Sequence, residues 1–183
     1  MKTKNQTLLS ENTLTSRPTD IIAGFPVRPG LFELNGATPL SNGVNFTTHT
    51  RHGTSCELLL FHSGEEEPFA VLPFPNACRI GDVYSMIVMG LDIEDLEYGY
   101  RVDGPYEPEK GHIFDKTKVL LDPYAKAVAG QREWGQQKVG SYHARVVRET
   151  FDWEDMPQST RKISDLIIYE LHVRGFTQDS SSG

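Results

Sequence analysis

Between Gly43 and Tyr106 the chain is cut into short apolar runs separated by turn signals, and this spacing restricts the fold more than any other feature. "VNFTTHT" alternates from Val44 and then turns β-branched, as a half-buried strand would. "CELLLFHS" is a short apolar run closed by the turn "SGEEEP". "FAVLPF" follows, and Pro73 places its end at an edge or a bend. "VYSMIVMG" lies between Gly81 and Gly90, and "LEYGYRVDGPY" is stopped by its own "DGP". Runs recurring at about 8–12-residue intervals predict an all-β sandwich. No amphipathic helix of useful length interrupts them, so the expected core is a β-sandwich from Phe25 to Tyr106.

The chain has 183 residues, room for one good-sized domain or one domain plus a piece of another. Its 38% hydrophobic content is enough for a packed core. A net charge of −7 argues against nucleic acid and against an anionic membrane surface, because both recruit clustered Lys and Arg. The first 20 residues are polar and read as a disordered arm, without the apolar centre of a signal peptide. Nothing approaches the roughly 20 apolar residues of a membrane span. A cytoplasmic location follows as the expectation, with Cys56 and Cys78 as two reduced thiols.

Beyond the sandwich, "KVLLDPYAKAVAG" reads as a short helix broken by Pro123. The charged stretch after it reads as a connector over a surface. "DLIIYELHV" then begins as a continuous apolar run, the pattern of a strand buried on both faces in a parallel sheet. With no second parallel strand after it, such a strand would be an orphan with unsatisfied edges.

No cofactor or metal site is expected: the glycine-rich phosphate loop, paired zinc cysteines and metalloprotease helix motif are missing from the sequence. His49 and His52 are three apart without a third ligand, and Glu65, Glu66 and Glu67 read as a solvated turn. Asp152, Glu154 and Asp155 flank Trp153, but adjacent acids in a connector read as solvated rather than as a glycosidase acid/base pair. The aromatics are more informative, since sugar rings stack on exposed aromatic faces. Tyr98 and Tyr100, two apart, read as core residues on one face of a strand. Trp134, beside Gly135 in a polar stretch, fits either interface packing or glycan stacking. Glu170, His172 and Arg174 share one face of the final strand at period two, where they fit either a site mouth or structural hydrogen bonding.

The stretch "YGYRVDGPYEPEKGHIFDKTKVLLDPYAKAVAG", Tyr98 to Gly130, strongly resembles the glycogen-debranching and isoamylase branch of the α-amylase superfamily. "VRPGLFELNGATPLSNGVNF", "CELLLF" and "LIIYELHVRGFTQDSSSG" agree with it in order. Where that family usually has an Arg after the His of "GH", this chain has Ile113. The resemblance implies a mainly β fold: an Ig-like family 48 carbohydrate-binding module over residues 21–115, a connector over 116–162, and over 163–183 the first strand of a truncated (β/α)8 barrel of glycoside hydrolase family 13. It implies that the chain stops in the loop after that strand. Tyr106, Trp134, Glu170, His172 and Arg174 become the candidate glycan or barrel-interface contacts. The family's three catalytic carboxylates lie on later barrel strands, so no catalytic residue is assigned here. The expected function is that of an N-terminal fragment of an α-1,6-glucosidase, non-catalytic alone, with weak α-glucan contact as its ligand chemistry and self-association through the orphan strand. A stand-alone glucan-binding or scaffold module, or part of a related branching or trehalose-forming enzyme, are the alternatives.

Overall fold

A computed structural model describes residues 17–130, 142–148, 152 and 160–182. It divides into two compact units, residues 1–149 and 150–183. In the first unit the strands are β1 (Asp20–Ile22), β2 (Phe25–Pro29), β3 (Gly36–Leu40), β4 (Gly43–His49), β5 (Ser55–Phe61), β6 (Ala70–Pro73) and β7 (Arg79–Ile80). They are followed by β8 (Val83–Met89), β9 (Glu97–Asp103), β10 (Tyr106–Glu107), β11 (His112–Ile113), β12 (Ala127–Ala129) and β13 (His143–Arg145).

These strands make two antiparallel sheets and a small hairpin. One sheet runs β1-β2-β8-β4-β3, and the other runs β12-β13-β9-β5-β6. β4 pairs along the whole of β8, while β2 and β7 share its other edge, β2 against Met86–Val88 and β7 against Val83–Tyr84. Strand alternation sends Val44, Phe46, Tyr84, Met86 and Val88 from the first sheet and Cys56, Leu58, Leu60, Tyr98, Tyr100 and Val102 from the second into one common core. Phe46 meets Tyr98 edge to face at 5.1 Å, and Tyr98 meets Tyr100 at 5.9 Å. Each such pair adds about 0.5–1.5 kcal/mol to the burial of its rings. The predicted β-sandwich is thus formed, and Tyr98 and Tyr100 are core residues.

"VNFTTHT" differs from its reading as half-buried, because Val44 to Thr48 are all buried. The loop after β2 covers the outer face and satisfies its polar side chains. Leu31 N–H donates to Asn45 Oδ1 at 2.8 Å, Asn45 Nδ2 donates to Thr47 Oγ1 at 3.0 Å, and the Thr47 and Ser85 hydroxyls are 2.6 Å apart. Gly30 permits this approach: a Cβ there would lie 2.7 Å from the Met86 backbone nitrogen.

The second sheet continues into the stretch read as a connector. Leu120 exchanges two backbone hydrogen bonds with Tyr100 at 2.9 and 2.7 Å, and β12 and β13 extend the sheet from β9. The helix expected over "KVLLDPYAKAVAG" therefore gives way to a bridge, a turn and a strand. The reason is the open edge of β9, whose N–H and C=O groups need partners that a local helix would not supply. β10 and β11 pair Tyr106 with Ile113 across a turn closed by Gly111 at φ 81°.

In the second unit, the strand expected over "DLIIYELHV" is not formed among the described residues. Ile163–Asp165 make a 3-10 turn, Leu166 to His172 carry no strand pairing, and Val173–Phe176 make one helical turn. Leu166 and His172 have extended backbones, but an extended segment becomes a strand only with a ladder partner. Ile167, Ile168 and Tyr169 are exposed. No helix among the described residues is long and apolar enough to cross a membrane.

Candidate functional site

The residues singled out from the sequence fall in both units. Tyr106 is exposed on β10, beside equally exposed Ile113, so the small hairpin presents one apolar pair to solvent. Trp134 lies outside the described residues, as does the Arg174 side chain. Glu170 is exposed. His172 is committed locally: its Nδ1 accepts from Gly175 N–H at 3.0 Å and caps the helical turn. Asp152 is exposed, and its neighbours Trp153 to Asp155 lie outside the described residues.

Among the described residues of the first unit, three further polar clusters escaped the sequence reading. The first surrounds Asp122, 2% exposed, which accepts from the Tyr98 hydroxyl at 2.7 Å and from Tyr124 N–H at 2.9 Å. Burial raises this carboxyl above its ordinary range, and the two hydrogen bonds only partly oppose it. The same burial, reinforced by the Asp122 charge, drives the Tyr98 phenol upward. The second cluster joins Glu97 and His143, each 4% exposed. Glu97 Oε2 is 3.1 Å from His143 Nδ1, and Glu97 Oε1 accepts from Gly64 N–H at 3.1 Å. Phe61 stacks on the imidazole with 3.8 Å between centroids.

The third cluster is the open one. The turn after β5, the start of β6 and the 90–96 loop enclose a hollow of about 190 Å³ lined by Phe25, His62, Phe69, Leu91, Asp92 and Asp95. His62 Nδ1 is 2.8 Å from Asp95 Oδ2, and Ser63 N–H donates to Asp95 Oδ1 at 3.0 Å. The Ser63 amide first, and His62 after it, hold the Asp95 carboxyl below the usual carboxylate range. Phe69, 41% exposed, stacks on His62 at 4.4 Å and leans on Phe25 at 6.2 Å. A signal for this patch was present in the sequence. Ala70 and Leu72 are the inward residues of "FAVLPF", so the alternation sets Phe69 on the opposite parity.

In chemical terms the first two clusters are closed and structural, because their carboxylates are buried and engaged. The third is accessible, aromatic and anionic. Among the described residues no group of His, Cys, Asp and Glu side chains is arranged to hold a metal ion.

Comparison with known proteins agrees with this architecture. Residues 35–125 match the family "Carbohydrate-binding module 48 (Isoamylase N-terminal domain)". The chain is 36% identical over 169 residues to isoamylase 1, chloroplastic, of Arabidopsis thaliana, covering 86% of this chain and 22% of that protein. It is 34% identical over 149 residues to the glycogen debranching enzyme of Yersinia enterocolitica serotype O:8 / biotype 1B, covering 74% of this chain and 22% of the relative. It thus spans about a fifth of the length of these relatives. The fold is shared with pullulanase type I from Bacillus subtilis str. 168, solved with maltose, at TM-score 0.50 and 21% identity over 82% of this chain and 18% of that one. Residues 35–125, the greater part of the β-sandwich, therefore form a carbohydrate-binding module 48, the isoamylase N-terminal domain.

Proposed function

We propose that this chain supplies the sandwich module of a debranching glycoside hydrolase, one that cleaves α-1,6-glucosidic branch points in glycogen or a related glucan, and that it does no hydrolysis itself. The observation that carries this reading is the family match over residues 35–125, seated on the two-sheet sandwich, together with relatives named isoamylase and glycogen debranching enzyme. Retaining glycoside hydrolysis needs a carboxylate nucleophile and a protonated acid about 5–5.5 Å apart. The buried carboxylates Asp122 and Glu97 are instead held in structural hydrogen bonds.

The module's own role is to contact α-glucan weakly and to pack against a catalytic domain, with the Tyr106–Ile113 hairpin as one exposed apolar element available for such packing. Two free, buried cysteines support a reducing compartment such as the cytoplasm. Burial pushes the Cys56 thiol up to about 12 and the Cys78 thiol up to about 11, so both stay protonated and unreactive at neutral pH.

The test is a reducing-sugar assay on the purified chain with glycogen and pullulan, paired with affinity electrophoresis in glycogen gels. The expected result is no sugar release and at most millimolar retention, worth roughly 4 kcal/mol or less. Release that survives further purification would overturn the non-catalytic reading.

A further inference from the structure

We propose that the hollow between Phe69 and Asp95 is a binding subsite for one glucose residue of an α-glucan; this rests on the carbohydrate-binding reading above and assigns it a place. The aromatic surface here is built rather than incidental. Phe69 is held against His62 at 4.4 Å with 30° between the planes, and against Phe25 at 6.2 Å. A ring fixed in this way loses little side-chain freedom when a ligand stacks on it. Phe69 nevertheless keeps 41% of its surface in solvent, and half-buried Leu91 and buried Leu96 line the same hollow.

The polar side of the hollow is equally fixed. Asp95 spends one hydrogen bond on each oxygen, to Ser63 N–H and to His62. A carboxylate has about four acceptor positions, so two remain open. Its side chain is 55% exposed, so those positions face water in the free protein. A pyranose has the matching chemistry: an apolar C–H face for the ring and hydroxyl donors for the carboxylate. The lining contains no Lys or Arg, which disfavours a phosphorylated or otherwise anionic ligand. A wholly apolar ligand would strip water from Asp95 without replacing its hydrogen bonds, which is costly. The volume of about 190 Å³ is below the roughly 300–1,000 Å³ of ordinary small-molecule pockets, so the site takes a single sugar residue, with the rest of the glucan left in solvent.

The experiment is a titration of the ¹⁵N-labelled full chain with maltotriose to about 50 mM, enough to fill a millimolar site, followed by amide shift mapping. The expected result is saturable movement of the Ser63, Phe69, Leu91 and Asp95 amides. Phe69→Ala is expected to weaken that response about tenfold, and Phe69→Tyr to retain it. Saturable movement at other amides, Tyr106 for example, with the hollow unmoved, would overturn this site and leave the glucan-binding reading standing. No movement anywhere would overturn both. Unchanged affinity in a folded Phe69→Ala variant would overturn the site. Should that variant fail to fold, the wild-type map decides.

Discussion

The Tyr98 hydroxyl donates to Asp122 across 2.7 Å, and both residues are closed off from water, the tyrosine at 0% and the aspartate at 2% exposure. This one bond ties the turn after Leu121 to the aromatic centre of the core. Burial raises the Asp122 carboxyl in the folded state, whereas in the unfolded chain it titrates near 3.9. Between those two values the folded protein holds a proton that the unfolded chain has released, so stability falls as pH rises through that window. Asp122→Asn should remove this slope. Urea midpoints measured from about pH 3.5 to 7 check it, and identical profiles for parent and variant would contradict it.

Tyr98→Phe isolates the hydrogen bond from the charge. It leaves the buried carboxylate with Tyr124 N–H as its remaining donor in this cluster. Hydrogen bonds to charged groups are worth about 1.5–3 kcal/mol, and a loss of that size at neutral pH is expected in chemical denaturation.

The Glu97–His143 pair gives a prediction of non-additive form. Removing one partner of a buried pair leaves the other uncompensated, at a cost of about 3–5 kcal/mol. His143→Ala also removes the ring stacked on Phe61, so it should fall in that range. Glu97→Gln in the same chain should restore part of the loss, because the orphaned charge is gone. Strictly additive effects in a double-mutant cycle would mean that the two side chains are not coupled.

Gly30 tests the loop that seals the first sheet. A Cβ there would crowd the Met86 backbone nitrogen and the Asn45 and Ser85 side chains. Gly30→Ala should cost about 1–3 kcal/mol, as overpacking does. Gly81, whose added Cβ would meet nothing within 4 Å, has a positive φ of 60° and is a less clean control, so Pro73→Ala at exposed Pro73 is the better comparison. Thermal melts of the two variants should separate clearly.

Exposed Ile163, Ile167, Ile168 and Tyr169 lead to a prediction about association. Contiguous exposed apolar side chains favour pairing with another copy. Deletion of residues 163–183 is expected to make the chain more soluble and to lower its apparent mass in light scattering. A monodisperse monomer before deletion would refute this.

The sandwich was legible because its cause is local. The short apolar or β-branched runs "VNFTTHT", "CELLLFHS" and "VYSMIVMG" mark the strands, and glycines and prolines mark where each run must turn. Tyr98 and Tyr100, two apart, could therefore be placed in the core from their parity. The residues after Tyr106 were harder to read, since their structure is imposed from elsewhere. Leu120 lies flat along β9 because Tyr100 offers an unpaired edge and Gly99 leaves space for Val119, and nothing within "KVLLDPYAKAVAG" announces either. Likewise, Glu97 and His143 are 46 residues apart, and Asp95 and His62 are 33 apart. Hydrophobic period is a property of neighbours along the chain, so it marks the strand-like runs and the sandwich class but not which strands pair in which sheet. Which polar side chains meet, which become buried and which stay open around Phe69 depends on strands far apart along the chain and is fixed only when the two sheets pack.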